Sequence, residues 1–197
     1  MSILDVSQWD ILRGYSVRVV KVPGDGHCLF HAICQAMYTP YIDGEVDRTS
    51  LVVQLRADIA EYLQSTDSDG VTQYDKLGRG YFREFANNGN IPEFTMEYMV
   101  GILNSSSMLG FGYMELISNY LDIDIYVLST DTQDLYVNNE NRLYQRRDSI
   151  ILLNNGKHYD VVGVKNGRTL HTYFSPSHRL IKRLRRQHRK LTTTVDK

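Results

Sequence analysis

The 197-residue chain contains only two cysteines, four prolines and one tryptophan. Cys28 and Cys34 lie six residues apart in one apolar stretch. That placement gives no disulfide framework, and neither a C-x-x-C redox pattern nor a zinc-finger spacing is present. No repeat, low-complexity tract or Pro/Ser-rich linker divides the chain. Long apolar runs are also missing: stretches such as Ile150–Leu153 fall far short of the ~20 residues that cross a bilayer. Asp5 and Asp10 interrupt the N-terminus where the apolar core of a signal peptide would lie, so the expected compartment is intracellular, cytoplasmic and nuclear included. Net charge is nearly absent, at −1. What is present is ordinary: 42% hydrophobic and 23% charged residues exclude disordered and collagen-like classes. At roughly 100–200 residues per domain, one globular domain is expected.

The small net charge hides an asymmetry. Residues 179–197 hold eight basic side chains and one acid, a net of +7, whereas residues 1–178 hold 14 basic and 22 acidic, a net of −8. The chain is therefore read as a body over 1–178 and a basic tail or helix over 179–197.

Hydrophobic periodicity gives a mixed order of elements. Residues 17–22 read as a strand, closed by the turn cluster Pro23-Gly24-Asp25-Gly26. Residues 28–37 read as a helix with Leu29, Ile33, Ala36 and Met37 inward. Leu51, Leu55, Ile59 and Leu63 repeat every four residues after Thr49 and Ser50, which are taken as caps. Weaker helical patterns cover 72–86, 93–104 and 112–121. Strands are predicted at 123–128, 133–137, 149–153 and 159–164, with Asn138-Asn139 and Asn154-Asn155-Gly156 as turn residues. The expected class is a mixed α/β (α+β) fold, one central sheet flanked by helices.

The chemistry concentrates around Cys28. A strand enters a glycine-rich turn, and a helix then begins at a cysteine. A thiol at a helix N-terminus sits near about half a positive charge, which favours thiolate. The glycines let the turn tighten and leave backbone N–H groups for a tetrahedral oxyanion. A cysteine nucleophile also needs a base and the base an orienting group. His158-Tyr159-Asp160 offers both, because residues two apart on a strand share a face.

These segments resemble the ovarian tumour (OTU) family of cysteine proteases, which cleave ubiquitin and related modifiers from proteins. The family pattern Asp-Gly-x-Cys-Leu-Phe-x-Ala is matched by Asp25, Gly26, Cys28, Leu29, Phe30 and Ala32, with His27 where Asn is most common. A His followed two residues later by Asp or Asn is matched by His158 and Asp160. A third, weaker block resembles Gly110–Leu116 but lacks its usual Trp, since Trp9 is the only one in the chain. The resemblance implies a papain-type fold. It also implies Cys28 as nucleophile, His158 as general base and then acid, Asp160 as orienting acid, and Asp25 as an active-site acid. The Asp25 and Cys28 amides would form the oxyanion hole, with no metal or organic cofactor. The implied partner is ubiquitin, polyubiquitin or a ubiquitin-like modifier, whose basic C-terminal tail would suit acidic side chains among Asp67, Asp69, Asp75, Glu84, Glu93 and Glu97.

Other readings stay beside this one. His27, His31 and Cys34 share a helical face with zinc-binding residue types, although His27 lies in the turn. Cys34 is otherwise read as core, and His171, His178 and His188 as surface residues. The domain could be a catalytically silent ubiquitin-binding module. The stretch 179–190 could be a solvated helix face, a localisation signal, a nucleic-acid patch, or a helix packed through Leu180, Ile181 and Leu184. Without interleaved aromatics, nucleic-acid recognition is not expected there, and no membrane partner is expected.

Overall fold

The computed structural model describes residues 2–3, 9–77, 82, 86–87, 91–137 and 147–195. The frame is a twisted sheet. Its strands are β1 (Ser2–Ile3), β2 (Val17–Val20), β3 (Ile123–Ser129), β4 (Leu135–Val137), β5 (Asp148–Asn154), β6 (Tyr159–Asn166), β7 (Thr169–His171) and β8 (Tyr173–Phe174). The order runs β1-β2-β6-β5-β3-β4, with β7 paired to β6 and β8 to β5. Only β3 and β5 run parallel among these pairs; the others are antiparallel.

The central strands are buried on both faces, which explains their near-continuous apolar sequences. The period-2 alternation splits their side chains between two cores. Ile123, Ile125, Val127, Ile150, Leu152, Tyr159 and Val161 face one way. There they meet α1 (Cys28–Met37), α3 (Arg48–Gln64), α5 (Met96–Leu103) and α6 (Met114–Leu121). The short α2 (Thr39–Asp43) and α4 (Gln73–Lys76) connect along this side. Tyr126, Leu128, Ile151, Leu153, Val162 and Val164 face the other way, under Trp9, Leu12 and α7 (Arg179–Val195).

Several boundaries differ from the sequence reading. Helix α3 begins at Arg48, because the Asp47 carboxylate accepts from the Ser50 N–H at 2.6 Å and is itself the cap. An Asp cap contributes about 1 kcal/mol. Its buried stripe is Val52, Arg56, Ile59, Ala60 and Leu63, with Leu51 and Leu55 only at its margin. Within the predicted helix 72–86, the described part is helical only over Gln73–Lys76 and at single positions beyond. Asn138 and Asn139 lie outside the described residues. Strands β1, β7 and β8 and helix α2 had no periodic signal, being two to five residues long. The basic segment is a helix whose Leu180, Ile181 and Leu184 are fully buried. His188 is buried with them, against the expectation of a surface residue, because it falls four residues after Leu184 on the same helical stripe.

Candidate active site

The chain leaves β2, runs through Lys21 and Val22, and turns at Pro23–His27 into α1, whose first residue is Cys28. Gly26 has φ +86° and lies under the Ser106 carbonyl oxygen, where any Cβ would collide with backbone. Only glycine fits there, on both counts. The turn is stapled by Asp25: one carboxylate oxygen accepts from the His27 N–H at 3.0 Å, and the other meets His31 Nε2 at 3.0 Å. Burial pushes the Asp25 carboxyl up, but the His27 N–H and His31 outweigh it and hold it below its ordinary value. His31 is fully buried, and its Nδ1 lies 2.6 Å from the Tyr41 hydroxyl. Burial pushes the Tyr41 phenol up to about 12, so it stays an O–H donor. A neutral His31 therefore carries its proton on Nε2 toward Asp25 and accepts at Nδ1. Asp25, expected in the active site, lies in the turn before Cys28 and makes these two bonds there.

His158 immediately precedes β6. Its carbonyl accepts from the Asn155 N–H at 3.2 Å, and the Asn154 side chain accepts from the Gly156 N–H at 2.9 Å. The predicted asparagine-glycine turn thus fixes the backbone from which the imidazole projects. His158 Nε2 lies 3.2 Å from Asp160 Oδ1. Asp160 is buried and also accepts from Lys21 Nζ at 2.6 Å and the Val22 N–H at 3.3 Å. The segment that leads to Cys28 therefore grips the acid that holds the histidine. With Nε2 committed to Asp160, Nδ1 is the nitrogen left to exchange a proton. A Cβ on Gly24 would stand 3.7 Å from Nδ1, so that edge of the ring abuts the Cys28 turn. Tyr159 points to the opposite face and packs in the core with Cys28. Burial, and then the neighbouring Cys28 sulfur, raise its phenol.

Two side chains escaped the sequence reading. Lys21 is one, since an exposed lysine after a strand carries no local signal. Arg56 is the other. It is buried within the α3 stripe, and its guanidinium lies over the Phe30 ring at 5.1 Å. It donates to the carbonyls of Ile102 (2.6 Å), Leu103 (2.9 Å) and Ser107 (3.0 Å). Those carbonyls flank Ser106, the residue that covers Gly26, so Arg56 braces the loop that lies on the turn before Cys28. A charge recurring within an apolar helical period, four after Val52 and three before Ile59, was the available clue.

The zinc-type face of α1 is already engaged. Both His31 nitrogens have partners, and burial pushes the Cys34 thiol up to about 12, which opposes the thiolate a metal needs. No cluster of three metal-ligating side chains occurs among the described residues. Of the acidic candidates, Asp67 is held by Lys76 at 2.6 Å, and Asp75 and Glu97 line a cavity of about 240 Å³. Asp69 and Glu93 are exposed, and Glu84 lies outside the described residues.

The family model for OTU-like cysteine proteases matches residues 23–159. The chain belongs to that family. The human protein named Deubiquitinase OTUD6B is 26% identical over 162 residues, covering 77% of this chain and 48% of that protein. The chain thus spans about half the length of this relative. A solved structure of an ovarian tumour (OTU) domain in complex with ubiquitin aligns with a TM-score of 0.57 and 20% identity over 94% of this chain and 89% of that one. This likeness is one of fold. The OTU family's third block maps onto the turn Phe111–Tyr113, then α6 and β3, in the expected order.

Proposed function

We propose that this chain is a thiol-dependent deubiquitinase that hydrolyses the isopeptide bond at the C-terminus of ubiquitin or a ubiquitin-like modifier. The observation that carries the reading is the His158–Asp160 pair, gripped by the same segment that delivers Cys28 to the start of α1. The family and the likeness to a ubiquitin-bound OTU fold support the substrate class.

In this reading His158 Nδ1 takes the Cys28 thiol proton, and Asp160 holds the resulting imidazolium. The thiolate attacks the carbonyl carbon of the modifier's terminal glycine. The oxyanion is received by the Cys28 and Asp25 amides of the stapled turn, and the helix N-terminus adds positive potential. His158 returns its proton to the leaving lysine amine as the C–N bond breaks, leaving a thioester on Cys28. A water that gives its proton to His158 then cleaves the thioester, releasing the modifier's carboxylate and restoring the thiol. Asp25 acts on this sequence by holding the turn.

The test is incubation with ubiquitin carrying a thiol-reactive group at its C-terminus. A covalent adduct that disappears in Cys28→Ala is expected, with release of ubiquitin from conjugates. Association without adduct would make the domain a ubiquitin-binding module, and no reaction with ubiquitin or modifier probes would overturn the proposal.

A further inference from the structure

On the sheet face away from Cys28, two cavities of about 460 and 540 Å³ adjoin and share Gly14 and Tyr15. The first is lined by Arg13, Arg179, Lys182, Arg183 and Arg186. The second adds Lys165, His171, His178 and the rings of Tyr173 and Phe174. No acidic side chain lines either cavity among the described residues.

Residues 179, 182, 183 and 186 fall at i, i+3, i+4 and i+7, so α7 presents four cations in one stripe opposite its buried Leu180, Ile181 and Leu184. A solvated helix normally intersperses carboxylates, whereas residues 179–195 contain none. Arg183 is fixed by the Arg13 carbonyl at 2.9 Å and the Asp10 carbonyl at 2.6 Å, and Asp10 itself pairs with Arg13 at 2.6 Å. Arg179, Lys182 and Arg186 make no ion pair among the described residues. Such a row is self-repelling until an anion joins it. Beside it stand the half-buried Tyr15, the exposed Tyr173, and His178 packed on Phe174 at 5.0 Å.

We infer that this groove binds single-stranded nucleic acid, with phosphates along the α7 stripe and bases against Tyr15 and Tyr173. Arginine forks match phosphate oxygens, and a basic track beside aromatic faces is what an unpaired strand requires. The fold supplies the aromatics that 179–190 lacks in sequence, drawing them from the N-terminal turn and from β8. The inference is independent of the thiol chemistry.

The experiment measures binding of fluorescein-labelled oligothymidylate and oligouridylate of about 12 nucleotides to the full chain by anisotropy. With four phosphate contacts, affinity should fall about 50-fold between 50 and 200 mM salt. The triple variant Arg179→Glu, Lys182→Glu, Arg186→Glu should lose at least about 30-fold. Tyr173→Ala, at an exposed position, should lose at least about fivefold. Labelling of Cys28 by the ubiquitin probe should be unchanged in both variants, which shows that they are folded. No binding at 50 mM salt overturns the inference. So does a Tyr173→Ala variant that binds as wild type, which would mark a surface for polyanions in general. Vesicles containing phosphatidylinositol bisphosphate that bind through α7 while the oligonucleotides do not would overturn it in favour of a membrane surface.

Discussion

Among the described residues, one face of the sheet is covered chiefly by α1, α3, α5 and α6 and the other by α7 and the turn at Asp10–Leu12, and the two covers treat buried charge differently. On the Cys28 face the buried cation Arg56 is solvated by three backbone carbonyls. On the α7 face Arg185 reaches Asp124 at 3.2 Å, an ion pair whose carboxylate is almost wholly buried. Carbonyl caging fixes a loop, whereas an ion pair fixes a helix to a strand. The first cover therefore specifies the geometry of a turn at the active site. The second specifies where a long basic helix sits, with Arg179, Lys182 and Arg186 outward.

That contrast can be broken by substitution, and the largest effect belongs to the chemistry. Cys28→Ala should reduce turnover of a ubiquitin conjugate by roughly 10⁴-fold or more, with an unchanged urea midpoint and unchanged oligonucleotide binding. Arg185→Met should act only on the other side of the ledger, costing about 3–5 kcal/mol in chemical denaturation while the folded fraction keeps its turnover. Burial already raises the Asp124 carboxyl, and Arg185 opposes that rise. An acid with a raised folded-state pKa loses stability as pH rises from its ordinary range through the folded value. The Arg185→Met deficit should therefore be greatest at neutral pH and shrink as pH falls toward that range. Equal deficits at neutral and acidic pH would mean that Asp124 is not the group left unpaired.

Smaller effects sharpen the active-site half. Gly26→Ala forces a left-handed residue against the Ser106 carbonyl, and about 2 kcal/mol or more of stability should go together with probe labelling. If stability falls and labelling does not, the turn is not the platform for Cys28. Lys21→Met should be mildest. Lys21 is mostly exposed, so folding should change by less than about 1 kcal/mol. Turnover should fall less than tenfold while probe labelling persists, since only the hold on Asp160 is loosened.

Cys28, His158 and Asp160 were legible in sequence because each lies in a short segment whose own chemistry is unusual: a thiol after a glycine turn, and an imidazole two residues from a carboxylate. The central strands were legible for a similar local reason, as their apolar runs are continuous. Arg56 was not, because its partners are 46 to 51 residues away and are carbonyls, which every residue possesses. Asp25 was found by the position it holds in the family pattern. Its bonds to His27 and His31 were not legible, because they depend on how the turn folds back onto α1. The groove beside α7 escaped for lack of locality, since its rings come from residues 15 and 171–178.

Cys28 and Cys34 are both buried, at 3% and 4% exposure. The native chain therefore presents little sulfur to a small alkylating reagent, and modification rates become a clock for opening. Cys34, in the middle of α1, should react only when that helix leaves the core. Cys28, at the helix start, should respond to the lesser movement that admits a peptide tail. The ratio of the two rates, followed by mass spectrometry, would separate breathing of the entrance from loss of the core in a single experiment.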